Sequence, residues 1–160
     1  GGVTGVQTCA LPISMNTVSF NELPWKFEAG TPNIAQVIGL GSAIDYINNI
    51  GLDVIHKQGE LLTKYALTKI LEIEGITIYG HAQERGPVVS FKIDGVHPHD
   101  LAQLLDQQQI CIRAGHHCAQ PLLTKFGITS SARVSFYVYN TKEEIDVLIK
   151  GIEKAVSILK

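Results

Sequence analysis

Apolar positions at three- and four-residue steps mark the first regular element: Val37, Leu40, Ile44 and Ile47 share one face of a helix. Ahead of them stands "GTPN". Thr31 offers an N-cap hydroxyl, and Pro32 suits the first helical position, where its missing N–H costs nothing. Gly51 breaks this pattern. A second stripe, Ile55, Leu62, Ala66, Ile70 and Ile73, predicts another amphipathic helix that stops before Gly75. From Gly75 the period shortens. "ITIYG" and "PVVSFKI" are β-branched and partly alternating, with Val89, Phe91 and Ile93 on one face. In "HPHDLAQLLDQQ", Pro98 sits at a helix start, with Leu101, Leu104 and Leu105 along one side. "ICIR" reads as a buried strand and "ARVSFYVYN" as another, with Val134, Phe136 and Val138 alternating. Between them Gly115 to Gln120 is loop, with a short helix after Pro121. The last helix opens from "TKEE": Thr141 and Glu144 form a capping box, and Ile145, Leu148, Ile152 and Leu159 face inward.

The order helix, helix, strand, strand, helix, strand, strand, helix fits helices on one face of a small, mostly antiparallel sheet. The expected class is α/β, with an α+β small domain. No repeat or low-complexity tract interrupts it.

Composition narrows the setting. Hydrophobic residues make up 45% and charged residues 18%, a globular balance. The net charge is −2 and there is no basic block, which argues against nucleic acid and anionic membrane surfaces as partners. No apolar run approaches the length of a membrane span. Cys9, Cys111 and Cys118 are odd in number and lack framework spacing, which points to a reducing cytoplasm rather than a disulfide-stapled secreted domain. Residues 1–14, "GGVTGVQTCALPIS", show no period and resemble translated sequencing-adapter sequence. They are expected to be non-native and to take no part in the fold, Cys9 with them.

The candidate chemistry gathers in "ICIRAGHHCAQPL". Cys118 falls in a loop after a strand, where reactive groups are commonly displayed. Nearby positive charge favours a thiolate, the nucleophilic form, and Arg113, His116 and His117 adjoin it. The alternatives are an inert loop cysteine beside surface histidines, or a zinc site drawn from His97, His99, His116, His117 and Cys118. Consecutive His-His-Cys side chains point in different directions, and neither C-x-x-C nor H-E-x-x-H occurs. Cys111, flanked by isoleucines, is expected to be a buried structural cysteine. Arg113 and Arg133 stand at the ends of neighbouring strand candidates. An arginine fork there can bind a carboxylate, or pair with a surface acid. The Thr31 hydroxyl beside Gly30 can take a phosphate, or simply start a helix.

"RAGHHCAQPL" followed by "ARVSFYVYNTKEEID", with "FEAGTPN" about ninety residues upstream, closely resembles the C-terminal part of the pyridoxal-phosphate-dependent cysteine desulfurases of the Suf type, in the class-V aminotransferase family. "WKFEAGTPN", "GLGSAIDYI" and "VHPHDLAQLLD" agree in order and spacing, so the likeness covers roughly residues 19 to 160. It implies the C-terminal domain of a fold-type I transferase. Residues 15–50 would be the last elements of the cofactor-binding large domain, and residues 51–160 the small domain with the cysteine loop. It also implies conversion of L-cysteine to L-alanine, with an enzyme-bound persulfide passed to a Suf acceptor for iron–sulfur cluster assembly. Selenocysteine lysis is a close variant.

Residue by residue, Cys118 matches the nucleophile. Arg133 matches the arginine that clamps the substrate carboxylate, and Arg113 a second active-site arginine. Thr31 matches the threonine that reaches the cofactor phosphate of the other subunit, which implies a homodimer. His99 matches a histidine that can ligate the zinc of a sulfur acceptor. The family's cofactor lysine follows Ser-x-His upstream of "FEAGTPN". The one His-Lys pair here, His56-Lys57, falls in an amphipathic stretch and is not that lysine. The chain is therefore expected to be a fragment, inactive alone. A stand-alone persulfide carrier or partner-binding domain is the reading from another class.

Overall fold

The structure is a computed structural model; it describes residues 10–14, 17–28, 30–82 and 84–160, with side chains from residue 19 onward. Cys9 and Met15 lie outside the described residues. The chain divides into two compact units between Ile50 and Gly51. Gly51 joins the two longest stretches of early helix at φ +91°, a conformation that L side chains rarely adopt.

In the first unit, strand β1 (Ala10–Ser14) pairs antiparallel with β2 (Thr17–Phe20). Residues 10–14 thus form regular structure, although the sequence gives no alternation to announce it. A single 3-10 turn, Trp25–Phe27, follows. Helix α1 (Ile34–Ile50) buries none of its side chains. Its start corrects the expected cap. The Val37 N–H bonds to the Asn33 carbonyl at 2.9 Å, so Asn33 holds the N-cap position and Thr31 lies two residues outside the helix. Asn caps at least as well as Thr, and Pro32 comes before the cap rather than after it.

The second unit carries the core. Helix α2 (Leu52–Ile70) leads to strands β3 (Ile76–Tyr79) and β4 (Val88–Ile93), then helix α3 (Pro98–Asp106) and strand β5 (Arg113–Gly115). The short helix α4 (Gln120–Lys125), strand β6 (Ser131–Ser135) and helix α5 (Lys142–Leu159) complete it. The sheet order is β3-β4-β6-β5, and every pair is antiparallel. Val89, Phe91 and Ile93 alternate inward, and Val89 and Phe91 pair with Val134 and Ala132 of β6 on the same face. Leu62, Ala66 and Ile70 of α2, Leu101 and Leu105 of α3, and Ile145 and Ile152 of α5 cover them. Tyr65 donates a hydrogen bond to Asp146 at 2.7 Å and ties α2 to α5. The Thr141–Glu144 capping box forms as its spacing requires.

One strand is shorter than "ICIR" suggests. Residues 110–112 run extended outside the ladder, which begins only at Arg113. Ile110 and Ile112 turn toward the core, so the alternation sends Cys111 outward. The expectation of a buried structural Cys111 fails for that reason. Its flanking isoleucines mark the opposite side of the chain. Cys111 lines a cavity of about 430 Å³ beside Ser135, Asn140 and the start of α5.

Candidate active site

The face of the sheet away from α2, α3 and α5 displays the polar residues. Phe91 and Ala132 are partners on the core side, so Ser90 and its partner Arg133, one residue along, must point to the other side. Arg113 is the partner of Arg133 across β5 and β6. Ser90, Arg133 and Arg113 therefore form one row across three strands. The row extends to Tyr79, the partner of Ser90 on β3.

Two arginines directly opposite each other are an unfavourable pair, costing about 0.2–1 kcal/mol. No carboxylate answers them: among the described residues, neither forms a salt bridge. The Arg133 Nε is buried without a hydrogen-bond partner, and a donor left so costs on the order of 1 kcal/mol or more. A bound carboxylate would relieve both penalties at once. Replacing Arg133 with Met keeps an apolar stem and should raise the stability of the free chain by about 1 kcal/mol. Thermal unfolding checks this, and a lower midpoint for the variant would contradict it.

The segment after β5 folds back over this row. Gly115 adopts φ +127°, and His117 and Cys118 follow at +54° and +58°. Consecutive left-handed L residues cost about 1–2 kcal/mol each relative to the helical region, so the turn is held by its surroundings. The Ala119 N–H closes it on the His116 carbonyl at 2.9 Å. Helix α4 then crosses the sheet, burying Leu123 and ending where Phe126 stacks on Tyr79 with ring centroids 5.4 Å apart. Cys118 stands exposed at the near end of this strap, with Arg113 Nη2 donating toward its Sγ at 4.0 Å. The guanidinium is a fixed positive charge beside the sulfur.

The two histidines part company. His116 is exposed. The His117 Nε2 lies 2.9 Å from the Ser131 carbonyl, which can only accept, so that nitrogen carries the proton. Burial lowers the His117 pKa, the Ser131 carbonyl partly opposes the shift, and the neighbouring Arg133, Arg113 and His116 lower it further. The ring is therefore neutral near pH 7. The cation beside the thiol is Arg113, rather than an imidazolium at position 117. The sign for stability follows. Below about pH 6.5 the unfolded chain binds a proton at this histidine while the fold resists it, so stability should fall as pH drops. Urea titrations from pH 7 downward should show that loss, and His117→Gln should lessen it. An unchanged slope in the variant would assign it elsewhere.

His99 is the second residue of α3, its N–H bonded to the His97 Nδ1 at 3.3 Å and its ring stacked on His97 at 5.5 Å. Its Nε2 is 3.9 Å from where a Cβ on Gly115 would stand, so it borders the strand that feeds the cysteine loop. Among the described residues no three His, Cys, Asp or Glu side chains converge as a metal site. Thr31 is exposed in the turn before α1, and belongs to the first unit. Sequence reasoning missed Ser131, Ser90 and Tyr79. Their part depends on strand register, for which no local signal exists.

Residues 5–148 match the Aminotransferase class-V family. A probable cysteine desulfurase of Halalkalibacterium halodurans is 57% identical over 136 residues, covering 85% of this chain and 33% of its own length. One from Streptomyces coelicolor is 48% identical over 155 residues, covering 96% of this chain and 36% of that protein. The apo cysteine desulfurase of Thermococcus onnurineus superposes with a TM-score of 0.81 at 40% identity, over 95% of this chain and 38% of that one. The cysteine desulfurase CsdA of Escherichia coli, solved with an S-sulfonic acid, also gives 0.81, at 33% identity over 96% and 38%. The chain thus spans about a third of the length of the curated relatives it matches. With the family match running through both the Thr31 turn and the cysteine loop, the chain belongs to the class-V aminotransferase family.

Proposed function

We propose that this chain supplies the nucleophile-bearing part of a pyridoxal-phosphate-dependent cysteine desulfurase of the Suf type. The observation that carries the reading is the juxtaposition of an exposed Cys118 thiol, 4.0 Å from Arg113, with the opposed Arg133 and its unanswered Nε. L-cysteine offers both complements: a carboxylate for the arginine fork and a sulfur for the nucleophile.

Each residue then has a task. Arg133 holds the substrate carboxylate through two parallel hydrogen bonds and fixes the direction of the side chain. Arg113 sets a fixed positive charge beside the Cys118 sulfur and holds it next to the arginine row that binds the substrate. Cys118 Sγ attacks the substrate sulfur. The S–S bond forms as the C–S bond breaks, the C–S electron pair stays on carbon, and that carbon takes up a proton. One thiol and one cysteine thus give one persulfide and one alanine.

The chain's own groups fit the cofactor in part. The exposed Thr31 hydroxyl suits a phosphate oxygen and would hold the cofactor of a partner subunit, so the working enzyme is a homodimer in this reading. His56 and Lys57 are exposed on α2 and unsuited to anchor a cofactor ring, so the anchoring lysine comes from elsewhere in the full-length enzyme. Pyridoxal phosphate, when bound, supplies the electron sink for the substrate carbon. The acceptor of the persulfide would approach past His99, whose exposed ring would ligate a zinc ion that the acceptor carries. L-selenocysteine, with selenium in place of sulfur, fits the same contacts.

Reconstituting the full-length protein with pyridoxal phosphate tests the reading. Alanine should appear from L-cysteine, and Arg133→Ala should weaken cysteine binding by about tenfold to a hundredfold, the worth of a charge-assisted bond. A protein that binds the cofactor yet releases no alanine would sink the proposal.

A further inference from the structure

We infer that His117 is a positioning residue for Cys118: the bond from its Nε2 to the Ser131 carbonyl ties the cysteine loop to β6. The loop leaves the sheet at Gly115, the residue opposite Ser131 in the ladder. Two residues later it is bonded back to that same Ser131, at 2.9 Å. The tie therefore closes a small loop around the strand end, and Cys118 is the next residue along. His117 and Cys118 both hold left-handed backbone there, at +54° and +58°. His tolerates that region better than most residues; Cys has no such preference.

The ring gives up solvation to make this bond. Its Nδ1 is buried with no partner among the described residues. A histidine serving the thiol as a base would bond the sulfur through its free nitrogen, whereas Nδ1 is buried without a partner and the contact made to Sγ comes from Arg113. Burial, which outweighs the favourable Ser131 carbonyl, keeps the ring neutral, with Arg133, Arg113 and His116 as the charged or titratable groups that face it. A neutral Nε2–H tautomer donates one bond and holds it across the neutral pH range. His117 is thus a latch, distinct from the groups that touch substrate.

The latch can be read on the 160-residue chain itself, with no turnover measured, so its outcome is separate from that of the desulfurase reading. The reporter is hydrogen exchange at the Ala119 amide, whose bond to the His116 carbonyl closes the turn. His117→Ala should speed that exchange by about three- to tenfold, as expected for loss of one buried hydrogen bond. The amides of Val89 and Phe91 in β4 should exchange as before. Gln and Asn then divide the explanations. Gln can place an N–H where Nε2 stood, and Asn only where Nδ1 stood, but Asn suits left-handed backbone better. Rescue of slow exchange by His117→Gln and not by His117→Asn supports the latch. The reverse pattern, or unchanged exchange in His117→Ala, overturns it. Ring nitrogen NMR on the unsubstituted chain gives a check that needs no variant. A neutral ring protonated at Nε2 at pH 7 is required, and a ring protonated at Nδ1 overturns the proposal.

Discussion

Sulfur release from L-cysteine by the full-length protein should fall about a thousandfold or more when Cys118 is replaced by Ala. The size of the loss follows from the role. In the proposed reading Cys118 forms the new S–S bond, and neither His117, bonded to Ser131, nor Arg113, which cannot act as a nucleophile, takes its place. Cys111, also exposed, lines a different cavity beside Asn140 and α5. Cys111→Ala should therefore leave the rate within about a factor of two, an ordinary surface effect. The cofactor's visible absorbance should survive in both variants, since the proposed reading gives neither side chain a cofactor contact. Normal sulfide release by the Cys118 variant would remove the nucleophile from this loop.

The largest effect on stability is expected at Phe91. Its side chain is 0% exposed, on one of the two inner strands, with Ile78 and Ala132 as cross-strand partners. Helices cover that face, so little can collapse into the space of a missing ring. Phe91→Ala should cost about 3–5 kcal/mol, the usual range for emptying a buried aromatic site. Domains of this size hold on the order of 5–15 kcal/mol in all, so the loss is a large share of the total. Urea denaturation reads this directly: the midpoint should fall while the slope stays the same. A loss under about 1 kcal/mol would mean the core packs differently from the arrangement described above.

Much of the fold was legible because its signals are local. The Thr141–Glu144 box, Pro98 at the start of α3, and the Val89, Phe91, Ile93 alternation each lie within a few residues of what they specify. The misreadings have equally local causes. "TPN" offers two capping residues in a row, and Asn33 took the place expected of Thr31. "ICIR" has the composition of a strand, but only its last residue enters the ladder.

The candidate site divides the same way. Cys118 and its loop could be read from composition and from the family resemblance. The pairing of Arg113 with Arg133 could not, because register is set by the whole sheet. Nor could the bond from His117 to a main-chain carbonyl fourteen residues away, since a carbonyl leaves no mark on residue type. Sequence alone leaves the histidines open as helpers of the thiol, surface residues or metal ligands. In the fold one is exposed, and the other is a neutral tether.

Mass analysis of the reconstituted full-length protein after a single turnover of L-cysteine is the most direct test of Cys118 as the sulfur carrier. The peptide containing Cys118 should gain the mass of one sulfur atom, matched by one alanine released, and should lose it on treatment with a reductant. A gain on the Cys111 peptide instead, or alanine formed with no sulfur on either cysteine, would contradict the assignment.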